Sequence, residues 1–234
     1  MTAGKSLATK SRWGSPSKFF PVVVDEFFDN AHAIMEYGKS LEKEDLGGDK
    51  PGLRSKQLWE INPELHNDIL KKVLSIYFDL DYVDVSWSLS EMSFHRNPRS
   101  GDIKEEDGNK GFIHQDAILE RKRHNGVDNE VAGLIYLTPD IHPDSGTSLW
   151  NLKPGSIISA SGEVGVNEHN AKFTEKLRFQ NHFNRLIAYD ASEWHAANSY
   201  WSDGEDRLTL AFFIGGIETS SWPLDRIKKR SIKL

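Results

Sequence analysis

Three His-x-Asp pairs could grip a metal ion in this chain: His66 with Asp68, His114 with Asp116, and His142 with Asp144. Imidazole nitrogen and carboxylate oxygen suit divalent first-row metals. The chain has no cysteine, so thiolate sites, disulfides and cysteine nucleophiles are excluded. The motif is short, and with nine His and eighteen Asp in 234 residues about one match arises by chance. Context must choose among the three.

The first pair falls inside an expected helix, where residues two apart point about 200° away from each other and cannot share an ion. The third sits in PDIHPDSG, whose prolines and glycine read as a connection between strands. The second lies in the β-prone GFIHQDAIL. On a strand, residues i and i+2 share a face about 6.5–7 Å apart, so His114 and Asp116 can converge on one cation while Gln115 points away. Taken alone, this pair could equally be an ordinary strand end.

A facial site of two imidazoles and one carboxylate needs a third ligand and leaves positions open. His195, in YDASEWHAANSY, can supply it. Further on, Arg207 opens RLTLAFFI, where Arg207, Thr209, Ala211 and Phe213 share one face of a strand and Leu208, Leu210, Phe212 and Ile214 the other. An Arg leading an apolar strand is costly to bury unless an anion meets it. A guanidinium fork beside a hydroxyl suits a carboxylate. The competing reading pairs Arg207 with Glu205 or Asp206 in the adjacent turn.

These residues need a scaffold. Residues 1–18 are rich in Ser, Lys, Gly and Thr and read as a flexible arm. The remainder, 19–234, reads as one domain. After the β-like FFPVVVDEFF, Asp29 is expected to cap a helix running to about Glu44, with Ile34, Met35, Gly38 and Leu41 on one face. Asn62-Pro63 opens a second helix whose Leu65, Ile69, Val73, Leu74 and Tyr77 recur at helical spacing. From about 82 to 216 follow short β-prone runs: Tyr82–His95, Gly111–Asp116, Val131–Leu137, Thr147–Leu152, Ser156–Ala160, Arg185–Asp190, His195–Tyr200 and Arg207–Gly215. Helical support over about 29–79, then about eight strands, implies an α+β, mainly β protein, and a jelly roll is the natural eight-strand solution. Residues 217–234 form a C-terminal tail.

With those residues in hand, the chain resembles the 2-oxoglutarate/Fe(II)-dependent dioxygenase superfamily, particularly its prolyl-hydroxylase-like branch. The segment AGLIYLTPDIHPDSGTSLW (132–150) is similar to that family's Tyr-Leu strand and Gly-Thr hairpin, though with a single Gly146 before Thr147. The resemblance spans about 82–216 and implies a double-stranded β-helix body with flanking N-terminal helices. It implies iron(II) on His114, Asp116 and His195, and 2-oxoglutarate held by Arg207, Thr209 and Tyr136. It further implies hydroxylation of a C–H bond, with dioxygen and a small-molecule or peptide substrate, and release of succinate and carbon dioxide. An amino-acid or peptidyl, prolyl-like side chain is the implied substrate class. Asp116 argues against a halogenase, in which that carboxylate is replaced.

The rival functions are a metal- or 2-oxoglutarate-binding jelly roll without catalysis, and a zinc hydrolase, in which Arg207 and Thr209 would have no necessary role. A net charge of −6 offers no general attraction to nucleic acid or anionic membranes. No apolar run is long enough to span a bilayer and no secretory leader is evident, so a cytoplasmic location is the default expectation. The basic tail (Arg226, Lys228, Lys229, Arg230, Lys233) reads as solvated. The polar stretches 96–111 and 120–130 are expected to select the substrate as lids. Trp150 and Trp194 either wall the pocket or pack in a core. His95 reads as a structural residue near the site, and His124, His142, His169 and His182 as exposed. The oligomeric state and the identity of the substrate are not legible.

Overall fold

Alternation of apolar and mixed residues along RLTLAFFIG makes β11 (Arg207–Gly215) a strand that must be covered on both faces. A computed structural model describes residues 19–45, 52–97, 111–116, 129–158, 164–198 and 206–228. In it, β11 runs through the middle of a seven-stranded sheet. Its neighbours are β5 (Leu89–Asn97) and β6 (Asn129–Tyr136), both antiparallel to it. Beyond β6 lie β9 (Leu186–Asp190) and β1 (Val22–Val24), and beyond β5 lie β3 (Leu53–Arg54) and β2 (Glu44–Asp45).

One face of this sheet is covered by helices. Leu208, Leu210, Phe212 and Ile214 of β11 meet Ile34 and Met35 of α1 (Ala31–Ser40) and Ile69, Val73 and Tyr77 of α3 (Pro63–Tyr77) in one buried cluster. Asn62 starts α3 as its sequence predicts, its side chain accepting from the Leu65 N–H at 3.1 Å, with Pro63 where a missing donor costs nothing. A four-residue helix α2 (Leu58–Ile61) precedes it.

The other face meets a second, smaller sheet, ordered β10-β7-β8, with β7 (Thr147–Leu152), β8 (Phe173–Phe179) and β10 (Trp194–Ala197). Tyr136, Tyr189, Ile187, Leu149 and Phe179 fill the space between the sheets. A short ribbon of β4 (Val85–Ser86) and β12 (Glu218–Thr219), and the helical turns α4 (Val166–Asn170) and α5 (Asp225–Lys228), complete the described elements. Two antiparallel sheets face to face with helices outside the larger one form the expected double-stranded β-helix. No helix among the described residues is long and apolar enough to cross a membrane.

Several expectations need correcting. The first helix is shorter than 29–44, because Leu41 turns to extended backbone and the Lys43 ammonium takes the carbonyls of Gly38 and Leu41. Asn30, not Asp29, holds the N-cap position, without a side-chain bond. Residues 156–158 of the run Ser156–Ala160 form no strand. Strand β8 went unrecognised because only its end residues, Phe173 and Phe179, are buried. It is the charged edge of the smaller sheet, and charge there discourages further pairing. The arm 1–18, most of the stretches 96–111 and 120–130, His124, the turn 202–205 and Lys229, Arg230 and Lys233 lie outside the described residues.

The hairpin glycine is explained by close approach. A Cβ on Gly146 would lie 1.9 Å from the Phe179 carbonyl oxygen and 2.9 Å from the Asn181 nitrogen, both backbone atoms that cannot give way. Gly146→Ala is expected to cost about 1–3 kcal/mol of stability, read as a lowered urea midpoint at unchanged slope. An unaltered midpoint would contradict the β7–β8 approach described here.

Candidate metal and anion site

The segment 111–116 docks along the free edge of β10. His114 and His195 exchange both backbone hydrogen bonds, at 3.0 and 2.9 Å. The Gly111 N–H donates to the Ala197 carbonyl at 2.9 Å and the Asp116 N–H to the Ala191 carbonyl at 3.1 Å. Directly opposed residues on antiparallel strands project to the same face. The two imidazoles therefore stand side by side, ring centroids 4.3 Å apart. Asp116 completes the group: its carboxylate oxygens lie 3.6 Å from His114 Nε2 and 3.2 Å from His195 Nε2. One ligand atom from each residue falls within 4.8 Å of the others.

Both rings are held in the tautomer a metal requires. His114 Nδ1 lies 2.7 Å from the Phe112 carbonyl and His195 Nδ1 3.0 Å from the Glu193 carbonyl. A carbonyl only accepts, so each Nδ1 carries the proton and each Nε2 presents its lone pair toward Asp116. Burial would lower the pKa of His195, but the Asp116 carboxylate and then Glu193 outweigh it and raise the value. His195 is buried, whereas His114 is partly open to solvent.

Residues that the sequence left unmarked hold this edge in place. Asn170 of α4 accepts from the Ile113 N–H at 3.1 Å and donates to the Gly111 carbonyl at 3.0 Å. His169, expected at the surface, is fully buried; its Nε2–H donates to the Ile113 carbonyl at 2.8 Å and its ring stacks on Phe112 at 3.8 Å. Burial keeps its pKa below the ordinary histidine value. On the other side, buried Asp190 accepts from the N–H and hydroxyl of Ser192 at 3.0 and 2.5 Å. That turn aims the Ala191 carbonyl at Asp116 and the Glu193 carbonyl at His195. Asp-x-Ser just ahead of a ligand strand is a turn signal readable in sequence, whereas nothing in EHN (168–170) announces its task.

Across the inter-sheet space, Arg207 is 4% exposed. Its Nε donates to the Ser145 carbonyl at 2.9 Å and its guanidinium lies 5.5 Å from the Tyr136 ring centroid. Its Nη2 is buried and has no hydrogen-bond partner among the described residues. Asp206, the expected alternative partner, pairs with Arg96 instead. Thr209 stands in register with Tyr136 on one side and His95 on the other, so all three share the face that bears Arg207. The Tyr136 hydroxyl donates to Thr147 Oγ1 at 3.0 Å, and burial raises its pKa, so it remains a neutral donor. His95 is half-buried against the Ser93 hydroxyl at 2.9 Å.

The remaining His-x-Asp pairs are not sites. His66 is buried against Ser90 while Asp68 faces solvent. His142 caps the turn Pro143–Ser145 through its Nδ1, and Asp144 pairs with Arg178. His142 and His182 are exposed as expected. Trp150 and Trp194 pack with Ile113, Phe173 and Ala196 in a small core of their own, which favours the packing role.

The fold is similar to that of known structures. HygX from Streptomyces hygroscopicus, solved with nickel and 2-oxoglutarate bound, matches with a TM-score of 0.53 over 85% of this chain and 84% of its own, at 13% identity. EvdO2 from Micromonospora carbonacea var. aurantiaca matches at 0.52 over 97% and 98%, at 12% identity. The non-heme alpha-ketoglutarate-dependent epimerase SnoN from nogalamycin biosynthesis matches at 0.52 over 84% and 79%, at 12% identity. No protein-family model matches the sequence, and no curated protein is detectably similar to it. The likeness is one of fold.

Asn170→Ala should weaken cobalt(II) binding about tenfold in calorimetric titration, since disturbing groups that orient ligands costs about 10–100-fold in affinity. Binding as tight as in the unaltered protein would remove Asn170 from the site's support.

Proposed function

We propose that this chain is an Fe(II)- and 2-oxoglutarate-dependent oxygenase. The observation that carries the reading is the buried Arg207 guanidinium, whose Nη2 lacks a partner among the described residues, on the inter-sheet face of β11 that Thr209 and Tyr136 share. A buried charge without an anion is costly. A dicarboxylate answers that need at one end and could meet a metal at the other. HygX, of the same fold, holds nickel and 2-oxoglutarate together.

The donor set fits the group. His114 Nε2, His195 Nε2 and an Asp116 oxygen would hold iron(II) on one face and leave the opposite positions open. Arg207 would clamp the far carboxylate of 2-oxoglutarate, with Thr209 and Tyr136 beside it as hydrogen-bonding neighbours. When bound, iron and 2-oxoglutarate would supply, with dioxygen as the four-electron oxidant, decarboxylation to succinate and carbon dioxide coupled to oxidation of a substrate C–H bond. The protein's own share is orientation and exclusion of water. The carbonyls of Phe112 and Glu193 hold the proton on each Nδ1 and aim each Nε2, and the apolar packing of Tyr189, Leu149 and Ile187 walls the space between the sheets.

For the substrate we take hydroxylation of an amino-acid or peptidyl, prolyl-like side chain first, supported by the Tyr-Leu strand and Gly-Thr hairpin of residues 132–150. SnoN belongs to nogalamycin biosynthesis, so small natural products enter the same screen. Succinate release that depends on one of these compounds identifies the class.

Anaerobic protein loaded with iron(II) and 2-oxoglutarate should show a weak visible metal-to-ligand charge-transfer band. His114→Ala should abolish it by losing the metal. Arg207→Ala should keep the metal but bind 2-oxoglutarate about 10–100-fold more weakly, as expected for a lost charge-assisted pair. Metal binding with no band in the unaltered protein would count against the oxygenase and favour zinc chemistry or a non-catalytic metal-binding module.

A further inference from the structure

Arg207 is held through its backbone and through its side chain. The Thr138 hydroxyl accepts from the Leu208 N–H at 2.7 Å and donates to the Asp206 carbonyl at 3.1 Å, which pins the chain before and after Arg207. With the backbone fixed, the guanidinium is placed by what it meets. Those groups are the Tyr136 ring and the Ser145 carbonyl, which accepts from Nε at 2.9 Å. Ser145 is itself fully buried, at the end of the turn Pro143–Ser145.

That turn closes on itself through His142, whose carbonyl accepts from the Ser145 N–H at 2.9 Å and from its hydroxyl at 2.7 Å. Both bonds are local, and neither fixes where the turn stands relative to β11. A tertiary attachment comes from Asn181, in the connection between β8 and β9. Its N–H donates to the Pro143 carbonyl at 3.0 Å. Its side-chain Nδ2 donates to Ser145 Oγ at 3.0 Å, with the Ser145 carbonyl 3.5 Å away. Asn181 therefore grips the turn at its first and last residues.

The orientation of the amide follows from its partners. A carbonyl only accepts, and the Ser145 hydroxyl gives its proton to His142, so the group facing Ser145 must be the donor Nδ2. The Asn181 Oδ1 on the other side of the amide is buried and without a partner among the described residues. An acceptor left so is costly. Asn181 is 6% exposed, a depth at which an apolar side chain of the same size would pack without that cost. What the amide adds is the donor to Ser145.

We propose that Asn181 is a positioning residue for the Arg207 clamp. Through Ser145 it sets where the guanidinium stands, and thereby the length of 2-oxo dicarboxylate that reaches from Arg207 to the metal. The inference rests on the oxygenase reading above and deepens it. The five-carbon acid is chosen over its longer homologue by a residue two hydrogen bonds behind the clamp.

The test is Asn181→Ala, which removes the side-chain donor and leaves the backbone bond to Pro143. The iron(II)-loaded protein is titrated anaerobically with 2-oxoglutarate and with the six-carbon 2-oxoadipate. The variant's dissociation constant for 2-oxoglutarate should rise about five- to tenfold, the usual effect of one lost buried hydrogen bond. Its preference for 2-oxoglutarate over 2-oxoadipate should fall, because a guanidinium free to retreat accommodates the longer acid. Metal affinity measured without either acid should be unchanged. An unchanged 2-oxoglutarate constant overturns the proposal. A loss shared equally by the two dicarboxylates overturns it too, as does a fall in metal affinity, which marks a general loosening of the fold. Should Asn181→Ala fold poorly, Ser145→Ala severs the same link from the other side and keeps the backbone carbonyl that Arg207 uses. The same fall in length preference is expected from it, and an unchanged preference overturns the proposal. If the unaltered protein shows no response to 2-oxoglutarate, the oxygenase reading falls and this inference with it. If it responds and Asn181→Ala matches it, only the role of Asn181 falls.

Discussion

The reciprocal backbone hydrogen bond between His114 and His195 is the constraint on which the site depends. Two residues far apart in sequence become direct cross-strand neighbours, which fixes their side chains on one face at the spacing of an antiparallel pair. Slippage by one residue would send one imidazole to the opposite face of the sheet. Asp116 then needs no separate positioning mechanism, because a strand returns every second residue to the same side. The segment 111–116 is too short to hold this register unaided. Asn170 and His169 bond its backbone from α4, and the Asp190–Ser192 turn receives the Asp116 N–H through Ala191.

The second constraint is electrostatic. Arg207 opens the central strand of the larger sheet, almost wholly buried, where water cannot readily compensate a charge. Ser145 and the face of Tyr136 satisfy part of the guanidinium, and its buried Nη2 is left without a partner among the described residues. The hairpin that delivers the Ser145 carbonyl is the one in which Gly146 passes within contact of Phe179. Backbone packing of the smaller sheet thereby sets the position of a charge on the larger one.

Much of this was legible in the sequence, for identifiable reasons. The period-two pattern of β11 and the i, i+2 spacing of His114 and Asp116 are local properties, and each defines a face without reference to the rest of the chain. The N-terminal Asn62-Pro63 signal of α3 is local too. The supporting residues were harder to see because their meaning is non-local. His169 reads as one more polar residue in a polar stretch until α4 is laid against the segment 111–114. Likewise β8, charged along its length, shows its apolar ends only when β7 supplies the pairing. The first helix was read too long because Lys43 continues a helical composition while its ammonium terminates the helix by taking the last carbonyls.

The candidate site is divided between the two sheets. The smaller sheet carries the three candidate metal ligands on two adjacent strand segments, and the larger sheet carries the guanidinium and both phenols. Neither set contacts the other through covalent neighbours; what sets their separation is the apolar layer of Leu149, Ile187, Phe179 and Ala132 between them. Close-packed cores resist changes in thickness far more than changes in composition. Structures of the same fold share about one residue in eight with this chain, so the fold itself persists through wide changes of composition. The separation of the His114–Asp116–His195 cluster from Arg207 is then a property of core packing.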